Sequence, residues 1–349
     1  MTTTIRDVAK RAGVAPITVS RVINNSGYVS QNTRTRVEAA IDELGYVPNM
    51  LGPSLRFKQT MTLAVVLTDI TNPFWTTVTR GVEDIAQANG YSTILCNTDE
   101  SEEKQSQYLH MLLRRRIDGI LLVPASSSPK PIQLIKKQGI PVVLLDRVVP
   151  DVTVDLVRAD SETGAYNLTR YLCSLGHQRI LMLGGPKDVS TAIDRVNGFR
   201  RALADSGLEV RDSQILWGDF TQESGYQLAK QALKMTPLPT AILAANNFIA
   251  IGAMWAFHDA SLTVPDDIAL AAIDDVPPEF TIRPFFTVAK QPAREMGQQA
   301  ARLLLERIKG ETDRPCQQII LPTEMIIRTS SGGRVDLQDY ANAIQEVDR

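Results

Sequence analysis

Ten polar and aromatic residues stand at or near the ends of buried, strand-like segments, and their types suit a polyhydroxylated ligand. They are Asn72, Phe74, Trp75, Asp146, Arg147, Arg195, Phe220, Asn246, Asp274 and Gln291. Carboxylate, amide and guanidinium groups pair with vicinal hydroxyls, while flat aromatic rings cover apolar faces. Taken singly, each has an equally good structural explanation, since a strand-end Asp or Asn is often a loop cap, a Phe can belong to a core and an Arg can form a surface ion pair.

The elements that would position these residues are alternating strands and helices. One set of apolar runs reads MTLAVVLTDI, YSTILCN, IDGILLV and IPVVLLD, and a second set reads RILMLGG, QILWGD, TAILAAN and IALAAID. Such runs, separated by helical stretches, predict buried parallel strands in two α/β lobes. A break near residues 159–163 and the later run QQIILP predict several chain crossings between the lobes. Ligands of open parallel sheets bind beyond the carboxyl ends of the strands, which here means the cleft between the lobes.

Positive charge is concentrated at the N-terminus. Residues 1–60 contain eight Lys and Arg against four Asp and Glu, a net charge of +4. Because the whole chain has a net charge of −2, the other 289 residues have a net charge of −6. A charge cluster of this kind is often only a solvated helical face, but it also attracts the phosphates of nucleic acid.

The same segment has the periodicity of three short helices. Thr4 with Asp7 forms a helix-start signal, and Gly13 ends that helix. Pro16 suits the first turn of a second helix. Ser30 is placed to cap a third helix, which Gly45 ends. Two short helices joined by a tight turn and closed by a third form the helix-turn-helix pattern.

The run TIRDVAKRAGVAPITVSRVINNSGYVSQNTRTRVEAAIDELGYVPN resembles the DNA-binding headpiece of the LacI/GalR family, and the similarity extends to about residue 330. The resemblance implies a transcription regulator, most often a repressor, with an all-α helix-turn-helix headpiece and an α/β two-lobed, periplasmic-binding-protein-like core of parallel sheets flanked by helices.

The resemblance also assigns roles in DNA binding. Pro16, Ile17 and Arg21 occupy the positions that face base edges in the major groove. Arg21 could donate two bonds to guanine, whereas Pro16 and Ile17 offer apolar contact only. Residues in phosphate-contacting or capping positions, between which the sequence does not decide, are Thr4, Thr18, Ser20, Asn24, Thr33, Arg34 and Asn49. Ala15 departs from the usual capping serine, which costs the second helix a side-chain acceptor unless Pro16 compensates.

Residues 49–60 match the family's hinge, in which a leucine enters the minor groove and kinks the duplex. Leu55 holds that position, although a lone leucine is more often a packing residue. Gly52 and Pro53 lie inside the segment and are poor helix residues outside a first turn, so hinge ordering is expected to cost more here or to begin later.

In the core, the ten polar and aromatic residues at the strand ends resemble, nearly one for one, the sugar-contacting set of ribose-binding proteins and ribose-type repressors. Trp75 is the one departure, because it replaces a phenylalanine. Asn247 departs from the family's usual Asn-Asp pair, while Asn246 remains the sugar-facing candidate. The resemblance therefore implies a small-sugar effector, with ribose favoured, that acts by allostery between the cleft and the headpiece. Release of DNA by the sugar is the commoner behaviour in the family, and co-repression is the alternative.

We expect a helix-turn-helix domain over residues 1–48, a hinge over 49–60, an effector-binding and dimerisation core over 61–331 and a tail over 332–349. Within the core, the N-lobe is predicted to comprise about 61–160 and 292–322, and the C-lobe about 161–291 and 323–331. A homodimer on a palindromic operator of double-stranded DNA is expected, since two-fold operators mirror two-fold proteins. The tail lacks the leucine heptads of a tetramerisation helix.

Other observations narrow the function. No signal-peptide-like or membrane-spanning apolar run occurs, so a cytoplasmic, nucleoid-associated bacterial protein without membrane contact is expected. The three Cys are far apart, the three His lack metal-ligand spacing, and no phosphate-loop, dinucleotide or zinc-protease motif occurs, so no metal, cofactor or enzymatic activity is expected. The rival functions are a stand-alone periplasmic sugar-binding protein, opposed by the headpiece and the missing signal peptide, and a sugar-processing enzyme.

Overall fold

The computed structural model describes residues 3–47, 59–276, 284–310 and 314–333. The contacts divide the chain into two units, Met1–Thr60 and Met61–Arg349. We call them the headpiece and the core.

Within residues 3–47, the headpiece has three helices: α1 (Ile5–Ala12), α2 (Pro16–Ile23) and α3 (Gln31–Leu44). The carboxylate of Asp7 accepts hydrogen bonds from the amide and hydroxyl of Thr4 (2.9 and 2.7 Å), which fixes the start of α1. Helix α2 follows Ala15, which gives no side-chain cap, and begins at Pro16, which has no amide hydrogen and so leaves one unsatisfied donor fewer at the helix start. A small core closes the three helices and is formed by Val8, Ala9, Ala12, Val19, Val22, Val37 and Ala40.

The core contains two six-stranded sheets. One consists of β1 (Thr62–Leu67), β2 (Ser92–Asn97), β3 (Gly119–Leu122), β4 (Val142–Leu145), β5 (Asp155–Ala159) and β11 (Gln318–Leu321), in the spatial order β11-β5-β4-β3-β1-β2 with every pair parallel. The other consists of β6 (Ile180–Leu183), β7 (Ile215–Leu216), β8 (Ala241–Ala244), β9 (Ala269–Ile273), β10 (Thr287–Lys290) and β12 (Glu324–Ile326), in the order β12-β10-β9-β8-β6-β7. Only β12 pairs antiparallel. We call the two halves the N-lobe and the C-lobe.

Helices cover both sheets. They are α4 (Pro73–Ala88), α5 (Glu102–Arg114), α6 (Lys130–Lys137), α7 (Ser161–Ser174), α8 (Ser190–Asp205), α9 (Gln222–Ala232), α10 (Asn247–Asp259) and α11 (Ala293–Ile308). The chain passes between the lobes after β5, after β10 and after β11, which is three crossings. The predicted fold class, a helix-turn-helix headpiece with a two-lobed parallel α/β core, is confirmed.

Glycine permits the tightest helix contact in the N-lobe. A Cβ on Gly81 of α4 would lie 2.0 Å from the carbonyl oxygen of Arg294, and a Cβ on Gly297 of α11 would lie 2.0 Å from that of Val78. Both distances are far below contact distance, so any side chain would push the two backbones apart. This contact fixes α11, which belongs to the N-lobe although it follows the C-lobe strands in sequence.

Candidate functional site

All ten residues predicted to form the ligand site line one cavity between the lobes, which we call the cleft. Asn72 and Asn246 stand at the N-caps of α4 and α10, and each side chain accepts a hydrogen bond from an amide of its helix's first turn. Asp146 follows β4 and Asp274 follows β9, both with left-handed backbone (φ of 64° and 68°), a conformation that Asp tolerates better than most residues. The sharp turn after each strand lets the carboxylate line the cleft.

Sequence reasoning missed four further residues that line the cleft: Thr68, Asp69, Glu100 and Thr191. The first three follow β1 and β2, at the same sheet edge as Asn72. Applying the strand-end rule to every strand would have found these three, whereas Thr191 lies in the first turn of α8. The cavity has a volume of about 30 Å³ and is lined by residues of both lobes.

The C-lobe wall is formed by two hydrogen-bonded groups. The Arg195 guanidinium donates from Nη1 to the carbonyl oxygen of Ala245 (2.7 Å) and lies 5.5 Å from the centre of the Phe220 ring. Gln291 donates from Nε2 to the Asp274 carboxylate at 2.5 Å. These contacts hold Arg195 and Asp274 in place and leave some of their polar atoms free.

On the N-lobe wall, Arg147 is held by a carboxylate. Glu100 accepts one hydrogen bond from each terminal nitrogen of Arg147, both at 2.6 Å, and the carbonyl oxygen of Pro124 accepts a further one at 2.9 Å. The aromatic pair Phe74 and Trp75 meets edge to face, with ring centres 4.7 Å apart.

Unpartnered polar atoms are concentrated in the cleft. Among the described residues, eight buried side-chain polar atoms have no hydrogen-bond partner, and five of them belong to residues that line the cleft. These five are Thr68 Oγ1, Asp146 Oδ1, Arg147 Nε, Arg195 Nε and Gln291 Oε1. A buried polar atom without a partner costs roughly 1–3 kcal/mol, so the five atoms are suited to a ligand that supplies donors and acceptors together.

Burial destabilises the ionised forms of the two aspartates in the cleft, Asp146 and Asp274. Burial raises the pKa of Asp274 to about 6, and the nearby Arg195 guanidinium offsets only part of that effect. Burial also raises the pKa of Asp146 despite the proximity of Arg195 and Arg147. A ligand hydroxyl that donated to either carboxylate would stabilise its ionised form.

Contacts across the cleft join the lobes. The side-chain amides of Asn72 and Asn247 exchange two hydrogen bonds, each 3.1 Å long, and Asn247 is fully buried. The departure at Asn247 from the family's pattern therefore has a structural role as a link between the lobes. Arg158 of β5 pairs with Asp194 of α8, and Ser190 accepts a hydrogen bond from the amide of Val148 (2.9 Å).

In the headpiece, the proposed base-reading residues lie on the outside of α2. Pro16, Ile17 and Arg21 are exposed, and Ile17 is 60% exposed although it is a large apolar side chain. Exposed Ile at this place is a surface available for contact with a thymine methyl.

Most predicted phosphate or capping residues already have partners within the headpiece. Asn24 donates to the backbone oxygen of Ser20 (2.8 Å), and Thr33 donates its amide to the Ser30 hydroxyl (3.4 Å). Arg34 donates to the side chain of Asn25 (2.9 Å), while Thr18 is half-buried. Local structure accounts for these hydrogen bonds and leaves a further role toward phosphate untested. Asn49, Gly52, Pro53 and Leu55 lie outside the described residues.

Comparison with protein-family models gives two adjoining matches. Residues 4–49 match "Bacterial regulatory proteins, lacI family", and residues 60–329 match "Periplasmic binding proteins and sugar binding domain of LacI family". The chain belongs to the LacI family. It is a DNA-binding transcriptional repressor with a sugar-binding type of core and not an enzyme, and the resemblance noted in its sequence is confirmed.

Relatives of known name agree with this membership. The chain is 36% identical to the HTH-type transcriptional repressor PurR of Photobacterium profundum over 94% of its own length and 98% of the relative's. It is also 36% identical to the ribose operon repressor of Escherichia coli, over 88% and 94%. The crystal structure of the lac repressor dimer bound to operator and the anti-inducer ONPF superposes with a TM-score of 0.82 at 28% identity, covering 95% of this chain and 99% of that one.

Among the described residues, no helix combines the length and the apolar character that a membrane span requires.

Proposed function

We propose that this LacI-family repressor binds a palindromic operator as a homodimer and that a ribose-like monosaccharide in the cleft controls its affinity for DNA. The observation that carries the proposal is the group of five unpartnered polar atoms that line the cleft together with three aromatic rings. The site of action would be the bacterial nucleoid, in the cytoplasm.

The chemistry of the cleft suits a sugar ring. Asp146 and Asp274 accept hydrogen bonds, the Nε atoms of Arg147 and Arg195 donate, and Gln291 Oε1 accepts, so ring hydroxyls would find both kinds of partner. Phe74 and Trp75 line the cleft from the N-lobe and Phe220 from the C-lobe, which suits the apolar faces of a pyranose or furanose. The likeness to the ribose operon repressor of Escherichia coli favours ribose within this class.

Control of DNA binding would follow from lobe movement. Both lobes line the cleft, so a sugar that contacts both walls is expected to change their relative arrangement. A ligand shifts such an equilibrium only by its difference in affinity for the two arrangements. A tenfold change in operator affinity needs about 1.4 kcal/mol, which one or two hydrogen bonds made in a single arrangement supply. We expect the sugar to release DNA.

The test of the effector is calorimetric titration of the full chain with monosaccharides, beginning with D-ribose. Arg195→Gln removes a cleft guanidinium, and Arg200→Gln is its matched control, because Arg200 lies on the same helix and pairs with the exposed Asp212 outside the cleft. We expect saturable heat in the parent and in Arg200→Gln, and at least a hundredfold weaker binding in Arg195→Gln. Absence of heat with every monosaccharide would overturn the sugar proposal.

The test of DNA recognition is selection of bound duplexes from a random pool, followed by measurement of affinity for the selected operator. Two half-sites related by a two-fold axis are expected, and single half-sites would contradict the dimer. Arg21→Ala should relax preference at one base pair per half-site by about 1–3 kcal/mol. Lys10→Ala, on the exposed side of α1, should change affinity uniformly across sequences or leave it unaltered.

A further inference from the structure

The cleft contains an ion pair between Arg147 and Glu100, a carboxylate that was not predicted from the sequence. Glu100 follows β2 with a left-handed backbone (φ of 57°) and binds both terminal nitrogens of Arg147. The Arg147 side chain is only 5% exposed, whereas that of Glu100 is 35% exposed and lines the cleft. Glu100 therefore occupies both terminal nitrogens of a buried guanidinium while its own carboxylate stays accessible from the cleft.

Both guanidiniums of the cleft are bound in part by the protein itself. The terminal nitrogens of Arg147 are bound by Glu100 and Pro124, and Arg195 donates to Ala245 at 2.7 Å and to Ser161 at 3.5 Å. In each guanidinium, Nε has no hydrogen-bond partner. A phosphate group is bound best by a guanidinium fork that donates two parallel hydrogen bonds, and neither residue has a fully free fork.

Two of the helix starts at the cleft, those of α4 and α10, have first-turn amides that are already bound by side chains, whereas α8, which contributes Thr191 to the lining, has no side-chain cap. The amide of Phe74 on α4 donates to the side chain of Asn72 (3.0 Å). On α10, the amides of Phe248 and Ile249 donate to Asn247 and Asn246, both at 2.8 Å. First-turn amides are the usual phosphate donors of α/β proteins, and here asparagine oxygens already accept from these three.

The charge balance of the lining is acidic. Four carboxylates, those of Asp69, Glu100, Asp146 and Asp274, face two guanidiniums, those of Arg147 and Arg195. Two of the four carboxylates already have raised pKa values because of burial. A phosphate dianion in this cleft would add two negative charges to an existing excess, whereas a neutral polyol would add none.

We propose that Glu100 is a specificity-determining residue that restricts the cleft to unphosphorylated, uncharged sugars. The proposal rests on the proposed function and narrows its ligand class. Glu100 acts twice, since it occupies the guanidinium fork that would hold a phosphate and contributes the carboxylate that repels it.

The experiment is calorimetric titration of the full chain with D-ribose, D-xylose and D-glucose, and with D-ribose 5-phosphate and D-glucose 6-phosphate. Glu100→Gln removes the charge at nearly constant shape. Its matched control is Glu102→Gln, an exposed residue of the first turn of α5 that does not line the cleft. A second variant, Asp69→Asn, removes a cleft carboxylate without leaving Arg147 unpaired, and thermal unfolding shows that each variant is folded.

We expect the parent and Glu102→Gln to bind an unphosphorylated sugar and to bind its phosphate at least a hundredfold more weakly. Glu100→Gln should narrow the gap between the affinities for the phosphorylated and the unphosphorylated sugar at least tenfold, with a smaller change in Asp69→Asn. A parent that prefers a phosphorylated sugar overturns this inference and leaves a sugar effector standing. A parent that binds none of the five overturns the sugar effector as well. Unchanged discrimination in both variants overturns the role of charge.

Discussion

Asp274 is a group whose replacement should stabilise the protein while damaging its ligand site. Its carboxylate is 4% exposed, has a pKa of about 6 because of burial, and accepts a hydrogen bond from Gln291. Asp274→Asn keeps the shape and an acceptor for that hydrogen bond but removes the charge. The prediction is a more stable protein at neutral pH that no longer binds the sugar.

The magnitude follows from linkage. In the folded protein the pKa is raised from 3.8 to about 6, which means that the folded state binds the proton more tightly than the unfolded state does. Protonation therefore stabilises the fold, and this stabilisation is fully present below pH 3.8. It is lost as the pH rises through about 6. The full loss is about 3 kcal/mol above pH 7, and about 1 kcal/mol of it has occurred at pH 4.5. The stability advantage of Asp274→Asn should thus grow by about 2 kcal/mol between pH 4.5 and 8.

The assay is thermal unfolding of both proteins at pH 4.5, 6 and 8, with titration of the sugar at pH 8. At roughly 2 °C per kcal/mol for a core of this size, the gain in Tm should rise by about 4 °C over the range. Asp151→Asn is the matched control, because Asp151 also has left-handed backbone (φ of 60°) but is exposed. A difference in Tm between parent and Asp274→Asn that does not vary with pH would refute the reasoning, because the buried charge would then have no cost.

Two further predictions concern packing and lobe closure. Gly81→Ala should lower the free energy of unfolding in urea by about 3 kcal/mol or more, because its Cβ would meet the carbonyl oxygen of Arg294 at 2.0 Å. The control is Gln87→Ala, an exposed position on the same helix, which should change that free energy by less than about 0.5 kcal/mol. Equal effects of the two substitutions would show that the close approach has no cost. Asn247→Asp loses the donor that binds Asn72 and should weaken closure by about 1 kcal/mol. Small-angle X-ray scattering would detect this as a larger radius of gyration in the sugar-free protein, and an unchanged radius would contradict a linking role for Asn247.

Much of the local structure could be predicted because it depends on short stretches of chain. Pro16 at a helix start, Gly13 and Gly45 at helix ends and the apolar runs of the strands are read from neighbouring residues, and each lies in the element expected for it. The strand-end rule works for Asp146 and Asp274 because parallel strands all direct their carboxyl ends to one edge.

Tertiary structure decided which polar groups remain free to bind a ligand. The sequence indicates Arg147 as a ligand-contacting guanidinium, but Glu100, 47 positions earlier, occupies both of its terminal nitrogens. Likewise, the sequence pattern does not explain Asn247, because its hydrogen-bond partner, Asn72, lies across the cleft. Hydrogen bonds of this kind join residues far apart in the chain and depend on side-chain geometry to within a few tenths of an ångström, whereas sequence patterns carry only residue type and spacing. The sequence by itself therefore determined the family, the fold class and ten of the fourteen residues that line the cleft. The folded lobes determined the charge balance of the cleft and which of its polar atoms lack partners, because those properties depend on burial and on which hydrogen bonds are already made.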